Sequence, residues 1–125
     1  MTRIAIFDFG AGNLFSLHQS LLRNGAQSVE IIRTLDSLEK YDGLVLPGVG
    51  NFDSAISSMQ KDALMLNTAV NDGLPVLGIC LGLEMLFNKS EEGILEGLKV
   101  LEGEVLMLPR KIVNCLLYTS DAADD

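Results

Sequence analysis

Four short, largely apolar runs constrain the fold more than any other feature of this sequence. Runs of this length are typical of strands buried in a parallel sheet, and they occupy residues 4–9, 28–32, 43–46 and 75–79. Apolar residues recur at helical spacing over 13–24, 54–59, 64–71 and 81–87, and one further helical turn is expected within 33–41. The alternation predicts an α/β fold with a mostly parallel sheet and helices on both faces, followed by a last strand at 104–108.

Length and charge restrict the classes of partner. The 125 residues fit a single domain, and the formal net charge is −8. Because so acidic a chain is repelled by nucleic acid and by anionic membranes, we expect neither as a partner. No apolar stretch is long enough to span a bilayer, and the amino terminus does not resemble a signal peptide. The cytoplasm is therefore the expected location.

The cysteine pattern predicts neither a disulfide framework nor a metal site. The chain has two cysteines, Cys80 and Cys115, which do not form a C-x-x-C pair. Two unpaired thiols are typical of a reducing compartment. We expect no metal ion.

A nucleophile motif, G-I-C-L-G, spans Gly78 to Gly82 and follows the fourth apolar run. It is the cysteine form of G-x-S-x-G, which lies between a buried strand and a helix. A sharp turn there pushes the nucleophile out of the sheet, and the helix N-terminus favours the reactive thiolate. The backbone N–H of Leu81 can donate to a developing oxyanion. A free cysteine is more often a small buried apolar residue, but motif and context together favour Cys80 as a nucleophile.

A second glycine-rich turn, from Pro47 to Gly50, follows the third apolar run. Because the carboxyl ends of parallel strands meet at one edge of the sheet, this turn is expected beside Cys80. Backbone N–H groups of this turn can then be directed at an oxyanion. An ordinary strand-ending turn is the alternative, which this motif alone does not exclude.

The turn from Gly10 to Leu14 does not complete a dinucleotide-binding fingerprint. The pattern G-x-G-x-x-G requires a third glycine where Phe15 stands, and the chain contains no phosphate-binding P-loop. We therefore expect no cofactor. His18, the only histidine, lies within the first predicted helix. Nothing in the sequence brings it within the roughly 3 Å of Cys80 that a general base requires.

Four stretches of the sequence match one known family in register. They are the motif at 78–82, D-F-G-A-G-N-L at 8–14, L-P-G-V-G-N-F at 46–52, and residues 86–87 continued by 90–93. Together they resemble the class I (triad-type) glutamine amidotransferases, and in particular the branch that serves histidine biosynthesis. The resemblance covers residues from about 4 to 111. It implies a flavodoxin-like sheet of the class I amidotransferase type, incomplete at the C-terminus.

The resemblance implies that Cys80 attacks the side-chain amide of glutamine and releases ammonia. The ammonia would pass to a docked (β/α)₈-barrel cyclase subunit, which forms imidazole glycerol phosphate and an aminoimidazole carboxamide ribotide. The residues implied in oxyanion and substrate binding are Gly48, Val49, Gly50, Leu81 and Glu84. The residues implied near the docked cyclase are Gly10, Gly12 and Asn13.

Two departures from the family's pattern matter. The family usually has glutamine where this chain has Glu84. If the Glu84 side chain faces the substrate, its carboxylate could repel the carboxylate of glutamine or shift the pose of the substrate. The family's triad histidine and glutamate lie downstream of the matched region, so this chain by itself is expected to be inactive. We expect 1–111 to be the N-terminal part of an amidotransferase domain. We expect 112–125 to be non-native or frame-shifted sequence, with a frayed acidic terminus as the alternative.

Two other functions remain open on sequence alone. The first is another α/β cysteine hydrolase, although its nucleophile turn would not require the stretches at 8–14 and 46–52. The second is a non-catalytic chain that keeps the fold and docks a partner.

Glu91 and Glu92 are expected to lie in a solvated turn.

Overall fold

Four parallel strands form the main sheet, in the order β2-β1-β3-β4. The structure is a computed structural model and describes residues 2–10, 13–109 and 111. The strands are β1 (Arg3–Phe7), β2 (Ser28–Ile32), β3 (Gly43–Gly48) and β4 (Val76–Cys80). All three neighbouring pairs are parallel. The strand order reverses direction between β1 and β3, as in flavodoxin-like folds, so the predicted fold class is confirmed.

Helices cover both faces of this sheet. They are α1 (Leu14–Arg23), α2 (Phe52–Met59), α3 (Ala63–Asn71) and α4 (Leu81–Glu84), with 3₁₀ turns at Leu38–Lys40 and Gln60–Asp62. Because successive strand residues face opposite ways, each face has its own core. On one face, α1 packs on Ile6, Val29 and Val45. On the other face, buried residues of α2 and α3 pack on strand residues, which are Ala5, Phe7, Leu44 and Leu46.

The ends of the four main strands and of α1, α2 and α3 differ from the prediction by at most two residues. β1 ends two residues early, and β3 continues to Gly48 although the sequence predicts a turn from Pro47. Proline removes one ladder donor, but next to a strand end this loss does not stop the pairing with β4. α2 begins at Phe52 because the side chain of Asn51 accepts the N–H of Ser54 at 2.9 Å.

The last predicted strand, 104–108, is shorter than expected and lies outside the main sheet. Only β6 (Glu104–Val105) is extended, and it pairs in parallel with β5 (Lys89–Ser90). The apolar residues 106–108 are exposed, so no burial supports a longer strand. The predicted tail at 112–125, with Cys115, lies outside the described residues. Where the structure describes the chain, none of its helices has the length and apolar character needed to cross a membrane.

Candidate active site at the carboxyl edge of the sheet

The carboxyl ends of β3 and β4 bring two sequence motifs side by side. The parallel register pairs Gly48 with Cys80, after pairing Pro47 with Ile79. The glycine-rich turn that continues from Gly48 therefore starts next to the cysteine, as expected from their shared edge of the sheet. Backbone pairing sets this proximity, whatever the conformations of the side chains.

Cys80 has a strained backbone conformation. Its φ of 53° and ψ of −118° lie in a region that residues with a Cβ rarely adopt. It is the last residue of β4 and directly precedes α4, so the chain passes from strand to helix at this residue. The cysteine is free and exposed. This geometry fits a nucleophile turn better than a small buried apolar residue.

The two glycines of the nucleophile motif let the turn pack against neighbouring backbone. A Cβ on Gly82 would lie 1.8 Å from the carbonyl oxygen of Leu46. A Cβ on Gly78 would lie 2.7 Å from the Cα of Leu83. Both contacts involve backbone atoms, which cannot swing aside as the end of a side chain can. The motif therefore needs glycine at both positions for steric reasons, before any chemistry is considered.

The turn after β3 approaches Cys80 from the neighbouring strand. A Cβ on Gly48 would lie 2.6 Å from the Cζ of Phe9, so the aromatic ring covers this glycine. Val49 is 64% exposed although it is apolar, and Gly50 has a φ of +118°, which favours glycine. An exposed turn with such torsions is the kind of backbone that can present N–H groups to an anion.

A cavity of about 220 Å³ lies where the strand order reverses, between the ends of β1 and β3. Phe9 and Gly10 line it on one side and Val49 on the other, and α2 completes the wall. In open α/β sheets, ligands bind in the crevice at this reversal point. Of the residues expected near a partner, Gly10 and Asn13 are exposed, and Gly12 lies outside the described residues.

α4 is shorter than the predicted helix at 81–87. It spans Leu81–Glu84 only. Just beyond it, the N–H of Leu98 donates a hydrogen bond to the carbonyl oxygen of Met85 at 2.7 Å. Because a single turn carries little of a helix dipole, its expected support of the thiolate is small. The N–H of Leu81 is the first in the helix and has no helical acceptor, so it stays a candidate oxyanion donor.

Glu84 is half-buried at the end of α4, one turn from Cys80. Its Oε2 is buried and has no hydrogen-bond partner. Burial, followed by the influence of the neighbouring Glu92 carboxyl group and its negative charge, raises the pKa of Glu84 from 4.5 to about 7. Glu92 is exposed, as the sequence predicts for a solvated turn, yet it acts on the candidate site through Glu84.

His18 contacts β2, at one edge of the main sheet, whereas Cys80 ends β4, at the other edge. Its Nε2–H donates to the carbonyl of Val29, in β2, at 3.0 Å. β2 and β4 are separated by β1 and β3, which at the usual strand spacing is roughly 14 Å. The histidine fastens α1 to β2 and is not a base for Cys80, in agreement with the sequence analysis.

Asp53, in the first turn of α2, links this helix to a distant segment of the chain, and the sequence analysis did not predict this role. Its carboxylate accepts the N–H groups of Ile94 and Leu95 at 3.0 and 2.9 Å. Gly93 lies against the same carboxylate, since a Cβ there would lie 2.3 Å from Oδ1. These contacts tie the helix after the glycine-rich turn to the segment that carries Glu92. They join residues far apart in the chain, so no local pattern signals them.

A second cavity, of about 620 Å³, lies at the opposite edge of the sheet. Asp42 and Pro75, which line it, come just before β3 and β4 rather than after them. Across residues 2–10 and 13–109, no group of side chains is arranged to hold a metal ion. The two motifs predicted to carry chemistry therefore lie at the carboxyl edge of the sheet, away from this cavity.

Comparison with known families agrees with the geometry of this edge. The family model described as "Glutamine amidotransferase class-I" matches residues 5–116. The chain belongs to the class I glutamine amidotransferases. The resemblance that the four stretches indicated is thereby confirmed, and the strained cysteine turn lies inside the matched region.

Individual relatives of this amidotransferase chain carry a more specific name. "Imidazole glycerol phosphate synthase subunit HisH" of Prochlorococcus marinus (strain NATL2A) is 44% identical over 113 residues, covering 89% of this chain and 54% of the relative. The protein of the same name from Geobacillus thermodenitrificans (strain NG80-2) is 42% identical over 112 residues, covering 87% and 52%. The chain thus spans about half the length of the curated relatives it matches.

A solved structure supports the fold. The chain superposes on a protein titled "Crystal structure of glutamine amidotransferase" with a TM-score of 0.67 and 22% identity. The superposition covers 82% of this chain and 55% of the solved one. The parallel sheet with its covering helices is therefore the amidotransferase fold.

Proposed function

We propose that this chain is the nucleophile-bearing part of a glutaminase subunit of imidazole glycerol phosphate synthase, the enzyme named by its relatives. The observation that carries the proposal is the register of β3 and β4, which sets Gly48 beside the strained, exposed Cys80. A nucleophile and a turn of backbone donors then flank one substrate position. Family membership favours the amide of glutamine over an ester as the electrophile.

The proposed reaction begins with attack of the Cys80 sulfur on the side-chain amide carbon of glutamine. As the S–C bond forms, the carbonyl π pair moves onto oxygen, and N–H groups of Val49, Gly50 and Leu81 hold this oxyanion. The C–N bond then breaks, and ammonia leaves with a proton received from the general acid. Water hydrolyses the resulting thioester to glutamate and restores the thiol.

The general base of this reaction is proposed to come from outside this chain. His18 is held on β2 and does not reach the nucleophile. The half of the relatives' length that this chain does not span would supply the histidine and the carboxylate that orients it. Because the thiol is weakly activated without them, we expect no glutamine turnover by the 125-residue chain alone.

The ammonia is proposed to pass to a (β/α)₈-barrel cyclase subunit docked over the carboxyl edge of the sheet. The relatives are named as subunits, so a partner belongs to their enzyme. The exposed residues Gly10 and Asn13 and the small cavity lie at the same edge as Cys80. A partner seated there would receive ammonia without its entering bulk water. The proposed location is the cytoplasm, where thiols stay reduced.

Labelling of the full chain tests the nucleophile. In a Cys115→Ser background, we expect a diazoketone analogue of glutamine to alkylate Cys80 with saturable kinetics and with protection by glutamine, read by mass spectrometry. An ester-based electrophile of similar reactivity is the control and should show no saturation. Equal, unsaturable labelling by both reagents would mean that this edge of the sheet does not recognise glutamine.

A hybrid protein tests the complete activity. Residues 1–111 are joined to the carboxyl half of the Prochlorococcus marinus relative and co-expressed with the cyclase subunit of that organism. We expect glutamate release that depends on the cyclase and is lost in Cys80→Ala. A hybrid that binds the cyclase but releases no glutamate would contradict the proposed function.

A further inference from the structure

The cavity at the amino edge of the sheet has the size of a small-molecule site. Its volume of about 620 Å³ lies within the roughly 300–1,000 Å³ of sites that enclose small ligands. The 3₁₀ turn at Leu38–Lys40 and α3 both contribute to its lining, together with residues just before β3 and β4. It shares no lining residue with the cavity beside the nucleophile turn. A ligand bound here would therefore be separate from the candidate active site.

Apolar side chains make up much of the lining of this cavity. Leu35 and Leu38 are buried in the core, and Leu74 packs against that core. Leu64 and Met65, on α3, are 78% and 42% exposed although they line a concave surface. Removing such side chains from water by contact with an apolar ligand lowers the free energy. The lining therefore favours a ligand with an apolar body.

Among the described residues that line the cavity, the charged ones are all acidic, namely Asp36, Glu39, Asp42 and Asp72. The Asp42 carboxylate is paired with the guanidinium of Arg3 at 3.5 Å. No ion pair found in the described part of the chain includes the other three acids. The backbone N–H of Arg3 donates to Asp42 and lowers the pKa of that carboxyl group, so Asp42 is ionised at neutral pH. The lining therefore carries an excess of negative charge that is complementary to a cation.

Two neighbouring features favour an ammonium group in particular. Tyr41 also lines the cavity, and its hydroxyl donates to Glu30, which holds the ring in place. Organic ammonium ions bind to the faces of aromatic rings. The last turn of α3 has no basic residue, so no cation of that turn offsets the negative end of the helix dipole beside Asp72.

We propose that this cavity binds a small organic ammonium ion with an apolar body, at a site that is independent of the proposed function. In this complex the apolar body contacts the leucine and methionine side chains, and the ammonium group lies near the carboxylates. An anion of the same shape is repelled, and a neutral analogue gains only the apolar contacts. Because an exposed charge pair contributes up to about fivefold in affinity, several carboxylates together should favour the ammonium ion by about tenfold over a neutral analogue.

NMR titration of the full 125-residue chain at neutral pH tests the site with three probes of similar shape, which are phenylpropylamine, phenylpropanol and phenylpropanoate. With the amine we expect saturable shifts of the backbone amides of Thr68, Gly73 and Leu74, which line the cavity. The alcohol should bind about tenfold more weakly, and the carboxylate should give no saturable shift. Added salt should weaken binding of the amine but not of the alcohol. The site is refuted if the amine gives no saturable shift or if the alcohol binds as tightly as the amine.

Substitutions separate binding in the cavity from general attraction of a cation to an acidic chain. Asp72→Asn removes one lining carboxylate and should weaken binding of the amine by about three- to fivefold, while binding of the alcohol stays the same. Glu102→Gln removes the same charge from an exposed residue that does not line the cavity, and it should change neither affinity. Thr68→Trp fills the cavity from an exposed position on α3 and should abolish binding of both probes. Equal effects of Asp72→Asn and Glu102→Gln, or undiminished binding by a folded Thr68→Trp variant, would overturn the proposal.

Discussion

At the scale of single residues, Gly82 limits what the nucleophile turn tolerates. A Cβ there would lie 1.8 Å from the carbonyl oxygen of Leu46. We expect Gly82→Ala to lower the free energy of unfolding by about 3 kcal/mol, the upper end of overpacking costs, because the clash is with backbone. Urea unfolding followed by circular dichroism measures this loss.

Gly25→Ala is the matched control for that substitution. Gly25 has a φ of +103° and open space around its Cα, so the variant introduces strain without a clash. The cost of the left-handed conformation alone is about 1–2 kcal/mol. Equal losses in the two variants would show that the backbone near Leu46 yields, and the steric explanation of the motif would be wrong.

The position of Cys80 could be predicted from the sequence, whereas the surroundings of Glu84 could not. The nucleophile turn is a local device, since five consecutive residues define both its glycines and its cysteine. The influence of Glu92 on Glu84 depends on where β5 and the following turn return to α4. The spacing of two glutamates in the sequence does not indicate that the chain folds back in this way. The sequence predicted only that Glu92 is exposed to solvent.

At the scale of elements, the caps of α1 and α2 differ although both helices begin after asparagine. The side chain of Asn51 accepts the N–H of Ser54 at 2.9 Å, whereas Asn13 makes no capping hydrogen bond. We expect Asn51→Ala to lower the free energy of unfolding by about 1 kcal/mol and Asn13→Ala to change it by much less. Thermal unfolding of both variants measures the difference, and equal effects would contradict the assigned cap.

The strands of the main sheet could be predicted because burial on both faces leaves short apolar runs. Their ends could not, because pairing with a neighbour decides where a strand stops. β3 extends to Gly48 because residues of β4 pair with it as far as Cys80. Conversely, the apolar residues 106–108 resemble a strand but are exposed and lie beyond the pairing with β5.

At the scale of the whole molecule, β4 is an edge strand of the main sheet as far as the structure describes it. Leu77 on this strand is 56% exposed, and Ile79 lies on the same face. Because open apolar edges recruit other chains, we expect self-association that grows with concentration. Leu77→Lys should weaken it by about tenfold, equivalent to about 1.4 kcal/mol, as measured by sedimentation velocity.

Leu64→Lys is the control for the edge of the sheet. Leu64 is 78% exposed but belongs to α3 and not to the edge strand. The same added charge there should leave the association unchanged. If both lysines weaken it equally, the loss of any exposed leucine, and not the strand edge, would account for the effect.

The positive φ of Cys80 affects which substitutions accumulate once a gene of this kind is no longer under selection for activity. Glycine adopts that conformation without strain, and one nucleotide change converts a cysteine codon into a glycine codon. Selection for stability alone therefore favours loss of the cysteine, and only selection for its chemistry opposes that loss. In a lineage that no longer needs the reaction, we expect the nucleophile to disappear before the apolar core beneath it changes.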